Sequence, residues 1–442
     1  MALPGSGEDG HRYIPQALEK GAGCIVCQQR PEWGDYLLVE DCREALAELS
    51  AAFYGYPARK LALIGITGTN GKTSCSYLTA QLLEQTLGAR VGVIGTNGCF
   101  FDGQYLPGEN TTPNALQLQQ LFRQMADAGC THAVMEVSSH ALQQKRTAGL
   151  TFAVGAFTNL SRDHLDYHGS MENYARAKSL LFAQCRRAAA NGDDVWQRQV
   201  TNTCKGDVFT FGQHFDCDLV GWQSRYYGDR VEFTAVTDRG SYPAAIHIPG
   251  EFSLYNALTA LAILRQLDVP LTKSAAALAL CCGVRGRAEV LPCDRGYTIL
   301  IDYAHTPDAL EQILRSVRGF AENRIITVFG CGGDRDRGKR PEMARSAQRF
   351  SDLLVLTSDN PRGENPHAIL LQMLSGLDGS RPFAVLEDRR QAIAYALQQA
   401  RPGDVVLLAG KGHEVTQQRG GESIPFDERS IVAELLAQNE YT

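Results

Sequence analysis

The chain has 442 residues, 44% hydrophobic and 21% charged, with 43 basic and 49 acidic side chains and a net charge of −6. That length exceeds one ordinary core and predicts two or three domains of a globular protein, while the mild acidic excess argues against a nucleic-acid partner. No apolar run is long enough to span a bilayer, and the opening MALPGSGEDGHRY has no basic stretch followed by an apolar one, so a cytoplasmic protein without a membrane partner is expected.

The first 60 residues hold RYIPQALEKGAGCIVC and CREALAELSAAFYGYP, which predict a strand and at most two helices. Cys24 and Cys27 form a CxxC inside an apolar stretch, with no second pair at zinc spacing, so reduced thiols in a buried strand are expected. From Leu61 the pattern changes. LALIGI (61–66), THAVMEV (131–137) and FAVGAFTNL (152–160) are buried runs leading into polar loops and alternating with helical segments, the mark of a parallel α/β sheet. Segment 207–249, with VFTFG, VEFTAVT and AAIHIPG, predicts an antiparallel flap. Two helical stretches, TALAILRQLDVP and LTKSAAALALCCG, lead to a second α/β series: YTILIDYA (297–304), RIITVFG (324–330), DLLVLTS (352–358) and DVVLLAG (404–410). The expected domains are 1–60, 61–285 and 286–442.

The sharpest motif is GITGTNGKTS (65–74), between a predicted strand and a predicted helix. Ile66 stands where the strict phosphate-loop pattern has its first glycine. Even so, small residues let successive N–H groups curl around phosphate oxygens, Lys72 brings positive charge, and Thr73 offers a hydroxyl to Mg²⁺. Glu136, in MEVSSHAL (135–142), is an acid at the end of a strand near that loop and a candidate magnesium ligand. Asp163, His164, Asp166 and His168, within TNLSRDHLDYHG, could hold a second metal or merely cap turns. Lys178, read by itself, is a solvated lysine. DRDRGKRPE (334–342) lacks the ligand spacing of a calcium loop.

Taken in order, TGTNGKTS, NTTP (110–113), MEVSSHAL, TNLSRDHLDYHG, RGRAEV, DYAHTPDAL (302–310), GCGGDRDRGKRP and AGKGHE resemble the Mur ligases from about Asp9 to the C-terminus. The resemblance implies three domains: a central P-loop parallel-sheet ATPase domain, a C-terminal Rossmann-like α/β domain, and an N-terminal α/β domain. Members open with a longer N-terminal domain, so a shortened one is expected here, with consequences for uridine binding. It also implies an ATP-dependent reaction on small-molecule partners (ATP, a UDP-linked muramoyl dipeptide and an amino acid) by a chain expected to act as a monomer. ATP would phosphorylate the γ-carboxylate of D-glutamate, and an amine would then attack the acyl phosphate.

Residue by residue, the resemblance gives Gly68, Thr69, Asn70, Gly71, Lys72 and Thr73 to the phosphates, with Asn256, Arg287 and Asp302 to the rest of ATP. Thr73 and Glu136 would hold one Mg²⁺ and His164 a second. Lys178 matches a carbamylated lysine, N6-carboxylysine, which also serves the metal site. Thr111, Thr112, Ser138, Gln144 and Arg146 would bind the muramoyl dipeptide. The usual pattern has Asn where this chain has Ser253. TSDNPRGENP (357–366) resembles the signature of members that select meso-diaminopimelate, with Arg362 available to a distal carboxylate that lysine lacks. Asp359, Asn360, Arg335, Gly410 and Glu414 match other positions around that amino acid. The alternatives are the same reaction with L-lysine, another ligase of this type such as a folylpolyglutamate or cyanophycin enzyme, and a non-catalytic nucleotide-binding relative. The motifs DNPR, NTTP and SSHAL weigh against the second, and intact Lys72, Glu136, His164 and Lys178 against the third.

Overall fold

The computed structural model describes residues 1–5, 8–108 and 110–438; the ends of the expected first and last domains include positions 6–7 and 439–442, which lie outside the described residues. Contacts divide the chain into two units, Met1–Val220 with Leu258–Ser274, and Gly221–Ala257 with Ala275–Thr442.

The first unit begins with two short parallel strands, β1 (Ile25–Cys27) and β2 (Tyr36–Leu38), registered from Ile25 opposite Tyr36. One strand was expected here, and β2 is the correction. Its three side chains are all exposed, so it has neither the alternation nor the burial that marks a strand in sequence. Cys27 is buried in β1, Cys24 is exposed, and both thiols are free. The helix Cys42–Phe53 starts where the Asp41 carboxylate accepts from the N–H groups of Arg43 and Glu44.

The main sheet of this unit holds β3 (Ala62–Thr67), β4 (Val91–Gly95), β5 (Gly98–Phe101), β6 (Gln104–Leu106), β7 (His132–Glu136), β8 (Phe152–Phe157), β9 (Cys185–Asn191) and β10 (Val208–Gly212), in the order β10-β9-β8-β3-β7-β4-β5-β6. Only the β4–β5 and β5–β6 pairs are antiparallel. After β3 the chain first builds on one side, through β4 and β7, then crosses to the other for β8. The order therefore reverses at β3, and ligands of open α/β sheets sit at such a switch, outside the strand carboxyl ends. Both faces are covered: the neighbouring β3 side chains Leu63 and Ile64 are both buried, Leu63 in a core with Phe122, Phe152, Phe157 and Phe182. VFTFG, expected in an antiparallel flap, is β10 and pairs in parallel with β9. The short helix Gln197–Thr201 supplies the crossover that parallel pairing requires. Gln266, at the end of the helix Glu251–Gln266, donates to Ala188 O (2.7 Å) and Asp207 O (3.3 Å), while Arg187 donates to Gln266 O at 2.6 Å.

Beyond Val220, β11 (Leu219–Tyr226) runs into the second unit, where β12 (Val231–Thr237) and β13 (Gly240–Ile246) form the expected antiparallel hairpin. A six-stranded sheet follows: β14 (Glu289–Leu291), β15 (Thr298–Asp302), β16 (Ile325–Phe329), β17 (Leu353–Leu356), β18 (Phe383–Val385) and β19 (Val405–Ala409), ordered β14-β15-β19-β16-β17-β18 and parallel except for β14. A last hairpin is β20 (Thr416–Arg419) with β21 (Glu422–Pro425). Arg389 and Glu428 form a fully buried ion pair (2.7 Å), and Arg389 Nη2 also donates to Ala409 O, fastening two helices to the end of β19. Among the described residues no helix is long and apolar enough to cross a membrane.

Candidate active site

At the end of β3 the chain turns through Gly68–Gly71 into the helix Lys72–Leu87. A Cβ on Gly68 would fall 1.9 Å from Thr158 Oγ1, so the close approach of β8 demands glycine there. Gly71 sits at φ 83°, a left-handed cap that glycine adopts without strain. The loop is braced from β8: Asn159 Oδ1 accepts from Asn70 N (2.9 Å), and Thr158 Oγ1 donates to Asn70 O (2.7 Å). Thr69 N donates to Asn159 O at 2.8 Å. The result is a rigid turn at the positive end of a sixteen-residue helix, suited to an anion. Lys72 Nζ lies against Gly68 O (2.9 Å) and Thr69 O (2.7 Å), and Thr73 is buried in the first helical turn.

Lys178 is not a solvated lysine. It is 1% exposed on the helix Met171–Phe182, with Nζ donating to Gly68 O at 2.8 Å and lying 4.4 Å from the Tyr174 ring centroid. Burial, and after it the Lys72 ammonium, hold its amine well below the usual lysine range, with Asp163 pulling weakly the other way.

Glu136, also 1% exposed, accepts from Thr96 N (2.9 Å) and from Thr96 Oγ1 (3.1 Å). Thr96 Oγ1 reaches Thr111 Oγ1 at 3.1 Å, and Thr112 Oγ1 donates to Glu136 O at 2.9 Å while accepting from Ser138 N at 3.0 Å. Arg146 Nη1 donates to Thr112 O (2.6 Å), and Gln144 Oε1 accepts from Arg146 Nη2 (2.9 Å). The five residues expected at the muramoyl dipeptide thus form one hydrogen-bonded set around the end of β7.

His164 adopts φ 52° and lies edge-on to His140, ring centroids 4.9 Å apart. His168 turns instead to Ser139 Oγ (2.9 Å) and stacks on Tyr174. Burial first, then the neighbouring His140 and Lys178, push His168 down to about 4, so it is neutral near pH 7. Among the described residues no three His, Cys, Asp or Glu side chains come together as a metal cage.

In the second unit, Asp302 Oδ2 accepts from Ala288 N and Oδ1 from Ala304 N, both at 2.8 Å. Burial raises this carboxyl, and Arg287, whose guanidinium lies over the Tyr303 ring, opposes the rise. Beside Ala288 lies a cavity of about 480 Å³ lined by His247, Ile248, Gly283, Arg285 and Arg429 among others.

The loops after β16, β17 and β19 are interlocked. Asp359 and Asn360 are buried after β17, and Asn360 Nδ2 donates to Glu414 Oε2 at 2.8 Å. Gly410, at φ 109°, needs to be glycine because a Cβ would approach Asp359 Oδ2 to 2.8 Å. Arg362 sits at φ 51° and donates from Nη1 to Gly333 O at 2.9 Å. A Cβ on Gly332 would lie 2.9 Å from Arg362 Nη1 and 3.8 Å from the Arg335 side chain, so both arginines border the same glycine loop. Buried Arg340 clasps the loops together through Glu364 Oε1 (2.8 Å) and Gly332 O (3.1 Å).

Residues 66–264 match the family described as Mur ligase middle domain, and residues 286–412 match Mur ligase, glutamate ligase domain. A Bacillus licheniformis protein named UDP-N-acetylmuramoyl-L-alanyl-D-glutamate–2,6-diaminopimelate ligase is 41% identical over 99% of this chain and 91% of its own length. A protein of the same name from Listeria monocytogenes is 42% identical over 97% of this chain and 89% of its own. The chain belongs to the Mur ligase family. A solved ligase of the same name superposes with a TM-score of 0.74 at 33% identity, covering 98% of this chain and 90% of that one. The Mycobacterium tuberculosis folylpolyglutamate synthase, 18% identical with a TM-score of 0.67 over 90% of this chain and 95% of that one, shares the Mur ligase fold.

The donor set suits the magnesium expected of a Mur ligase. Mg²⁺ keeps several waters and takes one or two protein ligands beside phosphate, so it needs no three-residue cage. A buried carboxylate that accepts from Thr96, together with the Thr73 hydroxyl in the first turn of the helix Lys72–Leu87, is such a pair. Asn256 is buried in the helix Glu251–Gln266, and Ser253, where asparagine is usual, donates to Pro249 O at 2.8 Å at the start of that helix.

Sequence reasoning missed Thr96, Tyr174, Arg340 and Lys411. Thr96 follows Gly95, where a Cβ would fall 2.1 Å from Glu136 Oε1; only that collision marks it. Arg340 carries a pH signature. Its guanidinium, and next the Asp334 N–H, hold Glu364 down to about 2 from an ordinary 4.5. A depressed carboxylate contributes stability that is complete above the unfolded value and is lost as pH falls through the folded one. The thermal midpoint of Glu364→Gln should therefore fall less steeply than that of the native protein between these two pH values. Parallel slopes would contradict the clasp.

Proposed function

We propose that this Mur ligase uses ATP to join meso-diaminopimelate to UDP-N-acetylmuramoyl-L-alanyl-D-glutamate, a cytoplasmic step carried out by one chain. The observation that carries the reading is the DNPR loop, held by Arg340 so that Asp359, Asn360 and Arg362 stand with Gly410 and Glu414. Its support is the name shared by full-length relatives at about this identity. The domain boundaries at 60/61 and 285/286 belong to the same reading.

In this assignment the loop from Gly68 to Thr73 grips the triphosphate, with Asn256, Arg287 and Asp302 on the rest of the nucleotide. Thr111, Thr112, Ser138, Gln144 and Arg146 orient the dipeptide so that its γ-carboxylate meets the terminal phosphate in line. Thr73, Glu136 and His164 would hold magnesium, which would supply charge neutralisation on the phosphates. Lys178, whose amine burial holds well below the usual lysine range, is placed to react with CO₂: the N–C bond forms as one C=O π bond opens, the nitrogen loses a proton to water, and a carbamate anion results. Arg362 takes the distal carboxylate of the amino acid, Arg335 stands beside it, and Glu414 takes the distal ammonium.

Phosphate release from ATP, with the dipeptide acceptor and each candidate amine in turn, tests the reading. Release is expected with meso-diaminopimelate and far less with L-lysine. Preference for lysine would reassign the DNPR loop, and no release with any amine would leave a non-catalytic relative.

A further inference from the structure

We propose that Lys411 is a positioning residue that sets which oxygen of Glu414 faces the incoming amino acid, and thereby sharpens selection among diamino acids. The inference rests on the assignment of Asn360 and Glu414 to that amino acid and adds a residue to it.

Lys411 lies in AGKGHE, between two glycines in left-handed conformations, Gly410 at φ 109° and Gly412 at φ 53°. Neither can be replaced cheaply: a Cβ on Gly412 would fall 2.6 Å from Tyr303 Cβ and 2.9 Å from Gly286 O. This kinked backbone turns a lysine fully inward, to 0% exposure. A buried ammonium is costly unless each N–H finds an acceptor. Here all three do, at Thr416 O (2.8 Å), Glu414 Oε2 (3.0 Å) and Asn360 Oδ1 (3.2 Å). An ammonium with its donors committed in this way is a strut rather than a ligand.

The strut has a direction. Glu414 Oε2 also accepts from Asn360 Nδ2 at 2.8 Å, so both bonds fall on one oxygen and neither uses Oε1. Asn360 is locked in turn, because its Oδ1 accepts from Lys411 and from Gln418 N (2.9 Å), which leaves Nδ2 aimed at Glu414. Lys411 thus fixes the amide orientation of Asn360 and the carboxylate rotation of Glu414 together. It also offsets the carboxylate charge, so that attraction for any cationic side chain is moderated and geometry decides.

Steady-state kinetics of the full-length enzyme test this, with Lys411→Met for shape without charge and Lys411→Gln for a retained donor. The native enzyme is first required to turn over with a diamino acid; its failure there would sink the functional assignment, independently of Lys411. The expected result for Lys411→Met is a rise of about 10- to 100-fold in KM for meso-diaminopimelate, with KM for ATP unchanged. Its preference over the LL-isomer and over lysine should also narrow. Lys411→Gln should recover part of both effects, and it carries the test alone if the Met variant does not fold. Unchanged KM and unchanged preference in a folded variant, or equal losses for ATP and the amino acid, would overturn the proposal.

Discussion

Replacing Lys178 with alanine should lower kcat by about 100- to 1,000-fold, and formate or acetate added to the assay should restore part of the loss. An ordinary lysine ammonium would be hydrated and exposed. This one is enclosed, shares the Gly68 carbonyl with Lys72, and sits on the Tyr174 ring. Its amine is depressed chiefly by burial, which favours the neutral form that reacts with CO₂. A carboxylate created there would place an anion beside the Lys72 ammonium and near the proposed metal ligands. Small carboxylates should then fill the space left by alanine, whereas alkylamines should not. Full turnover by Lys178→Ala, in CO₂-depleted buffer as in air, would remove the carbamate from the account.

The second large effect belongs to Arg362. Arg362→Ala should reduce kcat/KM for meso-diaminopimelate by about 1,000-fold or more, since a site built around a polar partner loses that much when the pairing fails, while KM for ATP stays the same. The backbone supports this sharpness. Arg362 N donates to Gln418 O (3.0 Å) and Arg362 O accepts from Gly420 N (2.8 Å), pinning the residue on the last hairpin despite its positive φ. Its bond to Gly333 O engages one of five guanidinium donors, leaving a fork suited to a carboxylate. Lysine use should suffer much less, because lysine brings no distal carboxylate. An unaltered KM for the amino acid in a folded variant would move the selectivity elsewhere.

Most of the fold was legible because its strands are buried on both faces and announce themselves as short apolar runs. LALIGI and DVVLLAG lie within one residue of β3 and β19. The first error, β2, has three exposed side chains and so no pattern to detect. The second, VFTFG, is a true strand whose partner was misjudged, because direction depends on the crossover before it and not on its own residues. At the candidate site, glycine and lysine spacing marked the turn from Gly68 into the helix at Lys72 locally. The clasp of Arg340 with Glu364 spans 24 residues, and that of Lys411 with Asn360 spans 51. Pairings of that kind leave no local trace. Lys178 shows the limit most clearly: read by itself it is a solvated lysine, and only tertiary packing buries it and depresses its amine.

The order in which the chain is made adds a constraint. Gln266 stitches the helix Glu251–Gln266 onto β9 and the turn before β10, yet residues 221–257 of the other unit are synthesised first. A nascent chain emerging from the ribosome therefore carries a first-unit sheet whose covering segment has not yet been translated, until about residue 274 is out. During that interval an apolar flank stays open to chaperones. For the same reason a simple truncation after Val220 should not yield a stable ATPase fragment, and a circular permutant that keeps 258–274 with the first unit would be the sounder dissection.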